Sequence, residues 1–200
     1  MQLRECLDHG AARLGEGPHP DRARRDAETL LLHLTGKNRA WLLAHGTDDF
    51  GGCAAIQFAA MVERRLTGEP IQYITGETEF FGLPFHVTRD VLIPRPETEH
   101  LVEATIEITR GSDVATIVDV GTGSGAIAIA LARALKSDRI TAIDISEAAL
   151  DVARENAVRN SVSVRFLQGD LLEPVSGEAF PMIVSNPPYV PEADRPTLSV

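Results

Sequence analysis

The residues with the clearest chemical potential are Ser185-Asn186-Pro187-Pro188-Tyr189, which follow an apolar run, Phe180 to Val184, that reads as a buried strand. An Asn at such a strand terminus holds an amide acceptor and an amide donor at a fixed position. Pro187 and Pro188 stiffen the backbone and remove two N–H donors, while their carbonyls remain as acceptors. Tyr189 adds a flat apolar face. Together these residues describe a socket for a planar –NH2 group. The Asn186 side-chain oxygen and the Pro187 carbonyl each take one N–H bond, and the Tyr189 ring packs on the plane.

What is done to that nitrogen depends on a second stretch. Gly121-Thr122-Gly123-Ser124-Gly125 joins an apolar strand (residues 116–120) to a helix (126–134). A glycine turn in that position lets a ligand approach the backbone and the helix N-terminus. With Ala126 it fits the looser dinucleotide fingerprint G-x-G-x-x-A. With Asp119 and Val120 it fits the nucleoside loop of S-adenosylmethionine (SAM) enzymes. A ligand-free structural turn is the third reading. Asp144, 23 residues beyond Gly121, stands at the end of the second strand, where either cofactor needs a ribose-hydroxyl acceptor. Asp170 closes the third strand, where a carboxylate can accept from an adenine amino group. The amide socket closes the fourth. Hydride transfer has no use for such a socket, whereas methyl transfer must aim a nucleophilic nitrogen at a sulfonium methyl. The combination favours SAM over a nicotinamide cofactor.

The elements that must position these residues follow from the hydrophobic pattern. Strands at 139–143, 162–167 and 180–184 alternate with helices, which predicts an α/β doubly wound sheet with right-handed crossovers and ligands at the C-terminal strand ends. Ahead of it stands Leu92-Ile93-Pro94-Arg95-Pro96-Glu97-Thr98-Glu99. Flanking prolines hold Arg95 in a stiff, extended backbone, which presents it toward a ligand. Pro96 suits a helix first turn, with Glu97 and Glu99 near the positive end; capping alone would account for the two acids. Residues 79–87 predict a short hairpin turning near Gly82, with Phe80, Phe81 and Phe85 as packing residues. Residues 1 to about 68 are periodic at helical spacing. Asp21 is expected to cap a second helix ended by Gly36, and residues 69–76 are expected to leave the bundle.

A net charge of −10 argues against a protein that coats nucleic acid through a basic surface. Cys6 and Cys53 stand far apart with no CxxC, and the six His residues show no paired spacing, so no metal is assigned. The N-terminus does not read as a signal peptide and no apolar run reaches membrane-spanning length. A cytoplasmic protein is the expectation.

G-E-P-I-Q-Y-I-T-G, F-F-G-L-P-F, L-I-P-R-P-E-T-E, V-D-V-G-T-G-S-G-A-I-A-I-A-L-A and S-N-P-P-Y together resemble the HemK/PrmC methyltransferases, from the helical N-terminal region through Tyr189. The resemblance implies a Rossmann-like SAM-dependent methyltransferase fold. Its domains would be a helical substrate-recognition domain (1–70), a hairpin linker (71–92) and a SAM-binding domain (93–200). It implies SAM as cofactor, with S-adenosylhomocysteine as product, held by Gly121, Thr122, Gly123, Ser124, Gly125, Asp144, Asp170, Leu171 and Asn186. Position 171 is often aromatic in that family and is Leu here.

The implied partners are class 1 peptide chain release factors. The glutamine of their Gly-Gly-Gln motif would be methylated on its side-chain amide nitrogen, held by Asn186, Pro187, Pro188 and Tyr189, with Arg95 on the substrate side. That family's sheet continues past the Asn-Pro-Pro-Tyr loop, so a C-terminally incomplete sheet is expected here. Two alternatives share the socket or the fold: a DNA or RNA base amino-group methyltransferase, and a non-catalytic module that binds SAM or a release factor.

Overall fold

The computed structural model describes residues 1–110 and 116–187. The chain divides into two compact units, Met1–Gly76 and Glu77–Val200. The division falls within the segment 71–92 read from sequence as a hairpin linker.

The first unit is helical: α1 (Leu3–Gly15), α2 (Ala23–Thr35), α3 (Arg39–Ala44), α4 (Gly52–Leu66) and α5 (Ile71–Thr75). Leu3, Leu7 and Leu14 of α1, spaced by four and seven residues, share one helix face and meet Ala27, Leu30 and Leu31 of α2 and Phe58 and Val62 of α4 in one core. Gly10 lets α4 approach closely, since a Cβ there would lie 2.6 Å from the Phe58 ring. Asn38 caps α3, its side-chain oxygen accepting the Trp41 N–H at 2.9 Å. Inside the bundle Arg65 Nε donates to Asp26 Oδ2 at 2.7 Å, a buried charge pair.

Two expectations are corrected here. Asp21 does not cap α2: Pro20 seeds a 3-10 turn over Pro20–Arg22, and the helix begins only at Ala23. Nor do residues 69–76 leave the bundle: Pro70 ends its extended stretch, α5 forms, and Ile74 is buried in the bundle core.

The second unit opens with the hairpin β1 (Glu77–Phe80) and β2 (Leu83–His86). Its two-residue turn puts both Phe81 (φ 53°) and Gly82 (φ 70°) in the left-handed region, as a type I′ turn requires. Phe80 and Phe85 pack edge to face, 6.1 Å between centroids, and both are buried. A 3-10 turn, Pro96–Thr98, leads into α6 (Glu99–Thr109). There follow β3 (Ile117–Val120), α7 (Ala126–Leu135), β4 (Ile140–Asp144), α8 (Glu147–Arg159), β5 (Arg165–Gln168) and β6 (Met182–Ser185).

The four later strands form a parallel sheet in the order β5-β4-β3-β6. The chain therefore steps outward from β3 to β5 and returns to the other side of β3. The change of direction lies between β3 and β6, which places a ligand crevice at their C-terminal ends. β3 and α7 are buried along almost their whole length, as expected of a central strand and the helix over it. β6 differs from its reading as a buried strand: Val184 is buried, but Ile183 is 53% exposed.

Candidate active site

At the switch between β3 and β6 lies a cavity of about 370 Å³, within the range of small-molecule sites. Its walls come from four places: Asp90 to Arg95 with Thr98, the glycine turn from Gly121 to Ser124, the β4 end with Asp144 and Ser146, and Asn186 after β6.

The glycine turn has the conformation its composition demands. Gly121, Gly123 and Gly125 have φ of 73°, 53° and 80°, a region that side chains rarely adopt. The first two differ from the third in surroundings. A Cβ at Gly121 or Gly123 would meet open space, whereas at Gly125 it would lie 2.9 Å from Ile129 Cδ1 and 3.1 Å from Ala153 Cβ. Gly125 thus packs the turn onto α7 and α8, while Gly121 and Gly123 offer backbone to the cavity. Gly121 and Thr122 both donate to the Ile143 carbonyl, at 2.8 and 3.0 Å, and this fixes the turn against β4.

Asp119, in the centre of β3, is completely buried. Burial pushes its carboxyl up to about 6, with the negative Asp144 adding to the effect. The Thr122 hydroxyl donates to its Oδ2 at 2.6 Å and opposes the shift, as does the Ala128 backbone. Oδ1 makes no hydrogen bond of good geometry.

Asp144 reaches the cavity from the end of β4. Its Oδ2 accepts the Gly123 N–H at 2.8 Å and its Oδ1 the Ser146 N–H at 3.0 Å. A carboxylate has about four lone-pair directions, so each oxygen keeps one for a hydroxyl. Asp170 and Leu171 follow β5, next door: the Gly169 N–H donates to the Asp144 carbonyl at 3.0 Å. Both are exposed, Leu171 by 67% and with φ of 48°, and neither lines the cavity.

Asn186 follows β6, half-buried at the cavity wall. Its Nδ2 donates to Thr98 Oγ1 at 2.8 Å, and the preceding Ser185 hydroxyl donates to the Val120 carbonyl at 2.8 Å. The end of β6 is thereby tied both to β3 and to the Pro-Glu-Thr-Glu segment. Pro187 is exposed. Pro188 and Tyr189 lie outside the described residues. Arg95 lines the cavity with φ −95° and ψ 140°, the extended backbone its flanking prolines impose.

Three site-building residues were not read from the sequence. Thr98 holds Asn186. Glu99 Oε1 accepts the Phe81 N–H at 2.8 Å, so this acid grips the hairpin turn rather than merely sitting at a helix start. Asn156, wholly buried on α8, pairs with both backbone groups of His86 (2.6 Å accepted, 2.9 Å donated) and donates to the Ser124 carbonyl at 3.0 Å. One amide thus joins the hairpin to the glycine turn. Local pattern does not give the partners of these residues, because those partners are far away in the chain.

A parallel α/β sheet with a glycine turn, an acid on the next strand and an Asn-Pro loop across the switch point defines a nucleoside-cofactor methyltransferase domain. Comparison with known proteins agrees. Residues 98–198 match the methyltransferase small domain and residues 5–76 match the PrmC N-terminal domain. The release factor glutamine methyltransferase of Deinococcus radiodurans is 42% identical over 199 residues, covering 98% of this chain and 70% of the relative. That of Moorella thermoacetica is 44% identical over 200 residues, covering 99% and 70%. Among solved structures, the T. thermophilus 16S rRNA N2 G1207 methyltransferase, in complex with AdoMet and guanosine, shares 25% identity with a TM-score of 0.49, over 57% of this chain and 32% of that one. The chain belongs to the release factor glutamine methyltransferase family.

Proposed function

We propose that this chain transfers a methyl group from SAM to the side-chain amide nitrogen of the glutamine in the Gly-Gly-Gln motif of class 1 release factors. The observation that carries this reading is the meeting of Asn186, the glycine turn and Asp144 around one cavity. The PrmC N-terminal match at residues 5–76 favours a release-factor substrate over a nucleic-acid base at the same socket.

The residues fit SAM. Gly121 and Gly123 present backbone with open space in front of it, Asp144 offers two carboxylate oxygens to a ribose diol, and the acidic side chains suit a positively charged sulfonium. Asp170 lies beside the Asp144 end of the site as the acceptor for an adenine amino group, with Leu171 next to it. When bound, SAM supplies an electrophilic methyl.

The protein's contribution is to hold the nucleophile. An amide nitrogen is weak because its lone pair is delocalised into the carbonyl. Asn186 Oδ1 and the Pro187 carbonyl accept its two N–H bonds, orient the nitrogen and stabilise the positive charge that develops as the N–CH3 bond forms and the S–CH3 bond breaks; S-adenosylhomocysteine leaves and the surplus N–H proton passes to solvent water. Fixed orientation can supply roughly 7–11 kcal/mol of the barrier. Preorganised acceptors facing developing charge add about 3–4 kcal/mol each, by analogy with oxyanion-hole donors. Pro188 and Tyr189 are assigned to the same socket on residue type alone, a proline to stiffen the loop and a ring able to pack on a planar amide. Arg95 stands on the substrate side of the cavity.

The helical unit is the recognition module for the release factor, which places the work in the cytoplasm. Among the described residues no helix is long and apolar enough to cross a membrane.

The test is mass spectrometry of the release factor's Gly-Gly-Gln peptide after incubation with the chain and SAM. A gain of one methyl on glutamine is expected, and Asn186→Ala should lower turnover by at least 100-fold while SAM still binds. Methylation of DNA or RNA instead, or an unimpaired Asn186→Ala, would overturn the reading.

A further inference from the structure

The proposed chemistry needs the oxygen of Asn186, yet a carboxamide is nearly symmetrical in shape and either end can face the substrate. The structure holds a contact that restrains the group. Nδ2 of Asn186 donates to Thr98 Oγ1 at 2.8 Å, across 88 residues of sequence. The bond restrains rotation of the carboxamide and fixes its plane.

Thr98 ends the 3-10 turn Pro96–Thr98, which runs directly into α6. Here no side-chain capping bond forms, and the residue has helical backbone angles, φ −68° and ψ −19°. The hydroxyl is directed at residue 186 instead. Its backbone is fixed independently, because the Thr98 N–H donates to the Arg95 carbonyl at 2.9 Å and closes the 3-10 turn that Pro96 starts. Glu99, the next residue, is held by the Phe81 N–H. The hydroxyl therefore sits on a rigid platform.

Resting on the reading of Asn186 as acceptor for the substrate nitrogen, we infer that Thr98 is a positioning residue for methyl transfer: its hydroxyl restrains the Asn186 carboxamide, so that the group meets the substrate amide already oriented. A side chain of the same shape without an acceptor removes the constraint. Loss of the hydroxyl costs α6 no cap, so Thr98→Val keeps the fold.

The experiment compares Thr98→Val, Thr98→Ser and Asn186→Ala, singly and with Thr98→Val added to Asn186→Ala, in the full chain. Methylation of a class 1 release factor gives kcat and KM, and calorimetry gives SAM affinity. Thr98→Val should lower kcat by at least tenfold, with SAM affinity within twofold of the parent. Thr98→Ser should restore kcat to within threefold. In the Asn186→Ala background Thr98→Val should have no further effect, because the residue acts through Asn186. An undiminished kcat in Thr98→Val, or an equal loss in both backgrounds, overturns the inference. NMR of the Asn186 side-chain NH2 tests the contact without turnover. Its protons should exchange with solvent at least tenfold faster in Thr98→Val, and unchanged exchange counts against the inference. If the parent chain methylates no release factor, the proposed function fails, while the NMR result still decides the contact.

Discussion

Asp144 Oδ2 accepts the Gly123 N–H at 2.8 Å, so the carboxylate placed on the ribose by sequence logic is also a brace for the glycine turn. The second oxygen holds the Ser146 N–H at the start of α8. The acid therefore shapes both sides of the cofactor wall before any ligand arrives.

It follows that Asp144→Ala should weaken SAM binding by more than the loss of ribose bonds alone. Hydrogen bonds to a charged group contribute about 1.5–3 kcal/mol each, which puts the expected loss at 100-fold or more in Kd. Asp144→Asn, which keeps one acceptor, should fall between. Calorimetric titration is the check, and equal affinity in all three proteins would remove Asp144 from the site.

The glycines should separate stability from binding. Gly125→Ala must force a Cβ against Ile129 and Ala153 at a φ of 80°, so it should unfold the second unit at markedly lower urea. Gly121→Ala meets open space at φ 73°. It should cost only about 1–2 kcal/mol of backbone strain but fill ligand space, raising the Kd for SAM by tenfold or more. Urea melts beside calorimetry distinguish the two patterns.

Asn156→Ala should be among the most damaging changes outside the cavity. It strands the buried Ser124 carbonyl and both backbone groups of the half-buried His86. At about 1–3 kcal/mol per unsatisfied group, the second unit should lose at least 3 kcal/mol, read as a shift in its unfolding midpoint. A shift below 1 kcal/mol would mean that water or rearrangement replaces the network.

Asp119 gives a pH signature. Its carboxyl is raised from 3.8 to about 6 in the folded chain, so between those values the folded state binds the extra proton. Stability should therefore fall as pH rises from about 4 to about 6 and level off above, a change on the order of 3 kcal/mol. Asp119→Asn cannot titrate and should lose that slope. The difference in unfolding free energy between the two proteins, measured from pH 4 to 7, isolates the effect from other carboxylates; a constant difference would contradict it.

Much of this protein was legible in one dimension. Strand-helix alternation after residue 115, the glycine turn and the Asn-Pro-Pro-Tyr loop are local patterns, fixed by side-chain period, positive φ and proline stiffness. They placed the turn after β3 and Asn186 after β6. The hairpin turn at Gly82 was equally local. Helix starts were less secure, as Asp21 shows: a neighbouring Pro decided where the turn began.

What the tertiary structure alone decided is which side chains meet. Thr98 looked like part of a capped helix start, Glu99 like a dipole partner and Asn156 like an ordinary helix residue. Each instead bonds to a group 18 to 88 residues away. Residue type announces that a hydroxyl, carboxylate or amide can form such a bond, but the partner is set by the packing of α6, α8 and β6 around β3, and distance along the chain carries no record of it.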